Sequence, residues 1–169
     1  MSSTPERPGL TAAVLTVSDS VSKGTRQDLS GPAVVAALQK QGYTVVAKDV
    51  VPDERIHIEN ALVRLCDQAR LVVTTGGTGV AARDVTPEAT RSVCDRLIEG
   101  LGERMRAEGA KKTPMAALSR AVCGSRSASL VVNLPGSTKG ATESLAAIVD
   151  ILPHALALLE GRTEHAESP

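Results

Sequence analysis

Phenylalanine and tryptophan are absent from this chain, and Tyr43 is its single aromatic residue. The core must then be built from Val, Leu, Ile and Ala. A bound ring finds no stacking platform either, which argues against the aromatic surfaces of RNA-binding modules. Net charge is also absent, because 19 basic residues balance 19 acidic ones. A nucleic-acid binder held by phosphate attraction needs a basic excess, so no nucleic-acid partner is expected. The three cysteines, Cys66, Cys94 and Cys123, form no C-x-x-C pair and are odd in number. Neither a zinc knuckle nor a disulfide framework is expected, and three reduced core thiols fit a cytoplasmic protein. The opening MSSTPERPGL has no long apolar run, and nowhere do roughly 18 apolar residues follow one another, so neither a signal peptide nor a membrane span is expected.

What the chain does have is alternation. Residues 11–17 (TAAVLTV) read as a buried strand. A polar loop leads to Ser30, which can cap a helix with Pro32 in its first turn and Gly42 at its end. Residues 43–51 are a second strand, stopped by Pro52. Asp53 opens a helix carrying Ile56, Leu62, Val63 and Leu65, and residues 71–75 are a third strand. This order predicts an α/β fold: three layers, a mostly parallel sheet with helices on both faces. Residues 10–160 are expected to form one domain, between a flexible start (1–9) and a polar tail (161–169, GRTEHAESP). The second half is less regular. A helix capped by Thr86, with Pro87 first, is expected to reach Leu97. Short helices over 101–108 and 115–121, a strand over 127–134, a PGSTKG turn and a helix over 141–152 follow, with Pro153 kinking the last helix or starting a final turn to Leu159.

In parallel sheets ligands gather at the carboxyl ends of the strands. Right-handed crossovers put Ser18, Asp19, Asp53 and Gly76–Gly79 on that one rim. Residues 74–90, TTGGTGVAARDVTPEAT, are the densest stretch. Gly76, Gly77 and Gly79 suit either positive φ with N–H groups converging on an anion, or a plain tight turn. The P-loop's Gly-Lys pair is missing. Residues 77–82 fit G-x-G-x-x-A, yet they follow the third strand and open no helix at once, which disfavours a nicotinamide or flavin enzyme. Asp84 is either a turn former or a magnesium ligand, and Asp53 is either a helix cap or such a ligand. Arg120 could meet a phosphate or a surface acid. Leu134–Ser137 ends a strand at the same rim, with Lys139 just beyond. The isolated His57, His154 and His165 have no ligand spacing.

TVSDS, VPDE, TTGGTG, RDVTPE, LSRA and NLPGS occur in this chain in the order found in the MogA/MoaB family. The chain resembles that family from about Leu10 to Glu160. The family includes molybdopterin adenylyltransferases and the G domain of gephyrin-type proteins. The resemblance implies a trimer that binds molybdopterin and MgATP, transfers AMP to the molybdopterin phosphate and releases pyrophosphate. It implies a metal-insertion enzyme as the next partner in molybdenum cofactor synthesis. It gives Asp53 and Asp84 the mechanistic role, with magnesium held between them. It maps substrate contacts onto Ser18, Asp19, Thr75, Gly76, Gly77, Thr78, Gly79, Thr86, Ser119, Pro135, Gly136 and Ser137. A non-catalytic molybdopterin-binding protein of the same fold is the alternative it leaves open. One position departs from the pattern: Thr138 stands where family members often carry the second proline of L-P-G-x-P-K.

Overall fold

The structure, a computed structural model, describes residues 9–162. The expected flexible start, apart from Gly9, and the tail beyond Arg162 lie outside the described residues.

Four strands form the parallel part of the sheet: β1 (Thr11–Val17), β2 (Thr44–Val51), β3 (Leu71–Thr75) and β6 (Ser129–Leu134). Two short strands, β4 (Arg96–Leu97) and β5 (Cys123–Arg126), complete the order β2-β1-β3-β6-β5-β4. Only β5 runs against the rest. The α/β class and the mostly parallel sheet are as the alternation predicts. β4 and β5 are additions, because CGSR carries no apolar alternation and two residues leave no period to read.

Side chains alternate along each strand and feed two cores. Ala12, Val14, Leu71, Val73, Leu130 and Val132 face one side. There they meet α2 (Ser30–Lys40), α5 (Glu99–Ala110), α6 (Thr138–Ile148) and α7 (Leu152–Leu159). Ala13, Leu15, Val17, Val72 and Val131 face the other side, under α3 (Arg55–Gln68) and α4 (Thr86–Val93). Both faces of the central strands are therefore dry, which is why β3 reads as an unbroken apolar and β-branched run. No single helix among the described residues is long and apolar enough to cross a membrane.

Several boundaries move. α1 (Asp19–Ser22) is one turn, too short to show a period. Ser30 lies inside α2, and the Asp28 carboxylate accepts from Gly31 N instead. Asp53 does not cap α3; Glu54 holds that position. α4 stops at Val93, not Leu97, because Asp95 N donates to Ser125 O (2.7 Å) and draws the chain onto β5. β6 begins at Ser129 because Ser127 turns the chain at φ 51°. The expected 101–108 helix is the longer α5, and the 115–121 segment is a 3₁₀ helix over Pro114–Leu118. The 141–152 helix starts three residues early at Thr138, capped by Ser137, and ends at Ile148; Pro153 lies in the first turn of α7. PGSTKG is thus a turn only as far as Ser137.

Candidate active site

The strand ends set the site. β1, β2, β3 and β6 finish side by side, and the chain leaves each at the same edge. Ser18 N donates to Val51 O (3.0 Å), tying the exits of β1 and β2, and Gly76 N donates to Leu134 O (3.1 Å), tying those of β3 and β6. Thr75 Oγ1 adds a bond to Pro135 O (2.7 Å).

Gly76 and Gly77 turn the chain off β3 with φ of 104° and 67°. A Cβ at Gly76 would overlap the Val17 carbonyl, and one at Gly77 would strike Thr86 Oγ1. Both positions need glycine for conformation and for space. Gly79 differs from the expectation: its φ is not positive. A Cβ there would lie 2.8 Å from Asp84 Oδ2, so closeness alone constrains it. The Gly76 N–H is spent on Leu134, whereas the N–H groups of Gly77, Thr78 and Gly79 donate to no acceptor among the described residues.

Two clefts open on this edge. The larger, about 450 Å³, runs between the glycine loop, α5, the 3₁₀ helix and the start of α6. Met105, Ala116, Leu118 and Ala121 give it an aliphatic wall, with Ser119 beside them. The smaller, about 320 Å³, lies between the ends of β1 and β3 and the loop before α2. Ser18, Asp53, Thr75 and Gly76 line it. Gly77, Asp84, Gly136 and Ser137 line both, so the clefts meet there. α6 begins at that junction, which places the positive end of its dipole there.

Asp53 and Asp19 grip each other's backbone. Asp19 N donates to Asp53 Oδ2 (2.8 Å), and Asp53 N donates to Asp19 Oδ1 (3.0 Å). Arg83 then clamps Asp19 through both oxygens, at 2.6 and 2.9 Å. That contact holds the Asp19 carboxyl below its ordinary pKa. Burial, helped by the negative charges of Asp19 and Asp84, pushes the Asp53 carboxyl up. Asp53 Oδ1 has no donor among the described residues and faces Gly77. Asp84 Oδ2 accepts from Ala81 N (3.0 Å), leaving its Oδ1 without a donor among the described residues.

Two expected contact residues turn out to be braces. Thr86 is fully buried and lines neither cleft; its hydroxyl donates to Gly76 O (3.0 Å) and its N–H to Gly77 O (3.1 Å). It is the first residue of α4, not its cap. Asp19 is turned toward Arg83 and Asp53 and lines neither cleft. Arg120 takes the acid reading: Glu88 Oε1 accepts from it at 2.5 Å, and so do the carbonyls of Gly79 and Asp84, each at 2.7 Å. The contact holds Glu88 below its ordinary pKa. Sequence reasoning gave no role to Arg83, the first residue of RDVTPE, or to the buried hub Asn133. The Asn133 amide donates to Thr74 Oγ1 (3.1 Å) and Thr90 Oγ1 (2.9 Å), pinning β6 to β3 and α4. A polar residue in an otherwise apolar strand was the available signal.

The model of the family described as "Probable molybdopterin binding domain" matches residues 13–154. The chain belongs to this family. Among other members of the molybdopterin-binding family, the chain is similar to the molybdopterin adenylyltransferase of Helicobacter pylori strain J99, at 45% identity over 88% of this chain and 86% of that protein. The corresponding Escherichia coli K12 enzyme is 38% identical over 90% of this chain and 86% of its own length. The solved structure of the molybdopterin biosynthesis enzyme MoaB from Thermus thermophilus superposes with a TM-score of 0.85 at 49% identity, covering 90% of this chain and 97% of that one.

Proposed function

We propose that this protein is a molybdopterin adenylyltransferase, a nucleotidyltransferase that moves AMP from ATP to the phosphate of molybdopterin. The observation that carries the reading is the meeting of two unlike clefts at Gly77, Asp84, Gly136 and Ser137. The larger cleft suits the pterin. Its wall is aliphatic, and a flat ring can be held by such side chains and by backbone where no aromatic is on hand. The smaller, carboxylate-lined cleft suits the nucleotide phosphates. Their junction is where a phosphate of one ligand would face the α-phosphate of the other.

In the transfer, a molybdopterin phosphate oxygen forms a bond to the α-phosphorus. The bond from that phosphorus to the bridging oxygen breaks, and its electron pair leaves with pyrophosphate. Both reactants are anions, so alignment and charge neutralisation dominate the barrier. The free N–H groups of Gly77–Gly79 and the start of α6 supply fixed positive dipoles. Ser18, Thr75 and Ser119 shape the walls, and Pro135 carries the turn that presents Gly136 and Ser137. Asp19, with Arg83, fixes the height of Asp53.

Magnesium fits the residues present. No group of three or more His, Cys, Asp or Glu that could hold a metal occurs among the described residues. Asp53 and Asp84 nevertheless offer two carboxylate oxygens without donors among the described residues, and magnesium is often held by one or two carboxylates with waters and substrate phosphates. A bound magnesium ion would neutralise triphosphate charge and orient the leaving group. We further propose a homotrimer in the cytoplasm, handing adenylated molybdopterin to a metal-insertion enzyme. Cys123 is buried, Cys66 and Cys94 are half-buried, and all three are free thiols, which suits a reducing compartment.

The test is incubation with molybdopterin, ATP and magnesium. Pyrophosphate and adenylated pterin are expected in equal amounts. Tight molybdopterin binding with neither product would replace this reading by that of a non-catalytic pterin-binding protein.

A further inference from the structure

The smaller cleft contains a group that the motifs do not name. Its charged lining residues are Asp28, Asp53, Asp84 and Arg26. Among the described residues Arg26 is therefore its one cation, against three acids. The Arg26 guanidinium makes no hydrogen bond or ion pair with any described residue. The nearest acid in sequence is already engaged: Asp28 Oδ2 accepts from Thr16 Oγ1 (2.8 Å) and Oδ1 from Gly31 N (3.0 Å). The backbone beneath Arg26 is held in place. Gly24 turns the chain at φ 75°, and Thr25 N, Thr25 Oγ1 and Arg26 N all donate to the Ser20 carbonyl. An unpaired guanidinium on an anchored loop, lining a cleft rich in acids, is arranged for an anion brought from outside.

We infer that Arg26 is a substrate-contact residue that binds the pyrophosphate portion of ATP at the end of the smaller cleft away from the junction. This rests on the adenylyltransferase reading and deepens it. The junction takes the α-phosphate, and Arg26 does not line the larger cleft. The charge to be met at the far end is that of the β- and γ-phosphates, which increases as the bridging bond breaks. A guanidinium fork suits phosphate oxygens in pairs. The adenosine part carries no charge and has no need of a cation.

The experiment compares wild type, Arg26→Ala and Arg26→Lys with ATP and molybdopterin varied separately. Pyrophosphate and AMP are also titrated directly by calorimetry. Arg26 is exposed, so both variants are expected to fold. In Arg26→Ala the KM for ATP and the Kd for pyrophosphate should rise about tenfold, the effect of losing one charge-assisted contact. The KM for molybdopterin and the Kd for AMP should stay within roughly twofold, a split that a merely structural role would not produce. Lysine should recover part of the loss, because it keeps the charge and loses the fork. Unchanged ATP and pyrophosphate values overturn the inference, as does an equal loss for AMP. A wild-type protein that releases no pyrophosphate from ATP and molybdopterin overturns the parent reading, and this inference with it.

Discussion

Asp19 and Asp53 each accept a hydrogen bond from the other's backbone N–H, at 3.0 and 2.8 Å. Two acids 34 residues apart thereby fix the exits of β1 and β2 relative to each other. The arrangement has a cost: two carboxylates are brought together, and of the two only Asp19 forms an ion pair among the described residues. Asp53 carries the strain as a raised pKa.

Asp53→Asn should separate folding from chemistry. Asparagine keeps the acceptor for Asp19 N and removes the charge. A carboxyl whose folded pKa lies above its unfolded value stabilises the fold below the ordinary carboxylate pKa, and that stability is lost as pH rises through the raised value. At pH 7 the wild type has lost it, so the variant's Tm should equal or exceed the wild type's. Turnover should fall by about 100-fold or more, equivalent to roughly 2.7 kcal/mol of transition-state stabilisation. The acid limb of the wild-type pH–rate profile should lie above the ordinary carboxylate range. A lower Tm with normal turnover would make Asp53 a structural residue only.

Asp84→Asn tests the second carboxylate in the same way. Asparagine can still accept from Ala81 N, so the turn should persist. Turnover is expected to drop about 100-fold while molybdopterin affinity survives, since that ligand is itself anionic. Isothermal titration beside a turnover assay checks both parts. Lost pterin binding would mean that Asp84 shapes the junction with no separable part in the transfer.

Arg120→Ala should loosen the glycine loop from behind. It removes contacts to Gly79 O, Asp84 O and Glu88 together. A loss of about 2 kcal/mol is expected for such charge-assisted bonds. In a domain of this size that corresponds to a Tm drop of about 4–8 °C. Molybdopterin affinity should fall with it, because Gly79 and Asp84 line the larger cleft. Arg120→Lys should rescue little, as one ammonium cannot span the carbonyl pair and the acid.

Thr86→Val should behave as the removal of a brace. The buried Gly76 carbonyl would lose the Thr86 hydroxyl, at a cost of about 1–3 kcal/mol. Thermal denaturation should show the loss, and Thr86→Ser should restore most of it. Weakened ligand binding at unchanged Tm would instead place Thr86 among the substrate contacts.

The parallel strands and most helices were legible in the sequence because period and punctuation agree there. Pro52, Gly42 and Pro87 mark turns that the fold keeps within a residue or two. The rim was legible for the same reason, since strand ends and crossover handedness fix it without any tertiary detail. The roles within the rim were less so. Thr86 and Asp19 look like ligand contacts in a motif, yet their hydrogen bonds turn them toward the backbone. Arg120 lies about forty residues from the loop it holds, and no local pattern records such a partner. β5 was hidden by having glycine and serine where strand residues are expected; its pairing with β6 forms it.

β6 comes last among the parallel strands in sequence but lies in the middle of the sheet, between β3 and β5. Its pairing with β3 joins residues 71–75 to residues 130–134. More than fifty residues of chain must be looped out before that pairing exists, which makes it a slow, non-local step. Gly136 and Ser137 follow β6 directly, so the junction between the clefts cannot assemble until this strand has docked. A nascent chain emerging from the ribosome therefore holds the glycine loop and both acids long before it holds a site. Substrate binding then reports on the completed fold, and a bound ligand would stabilise the whole domain rather than its first half.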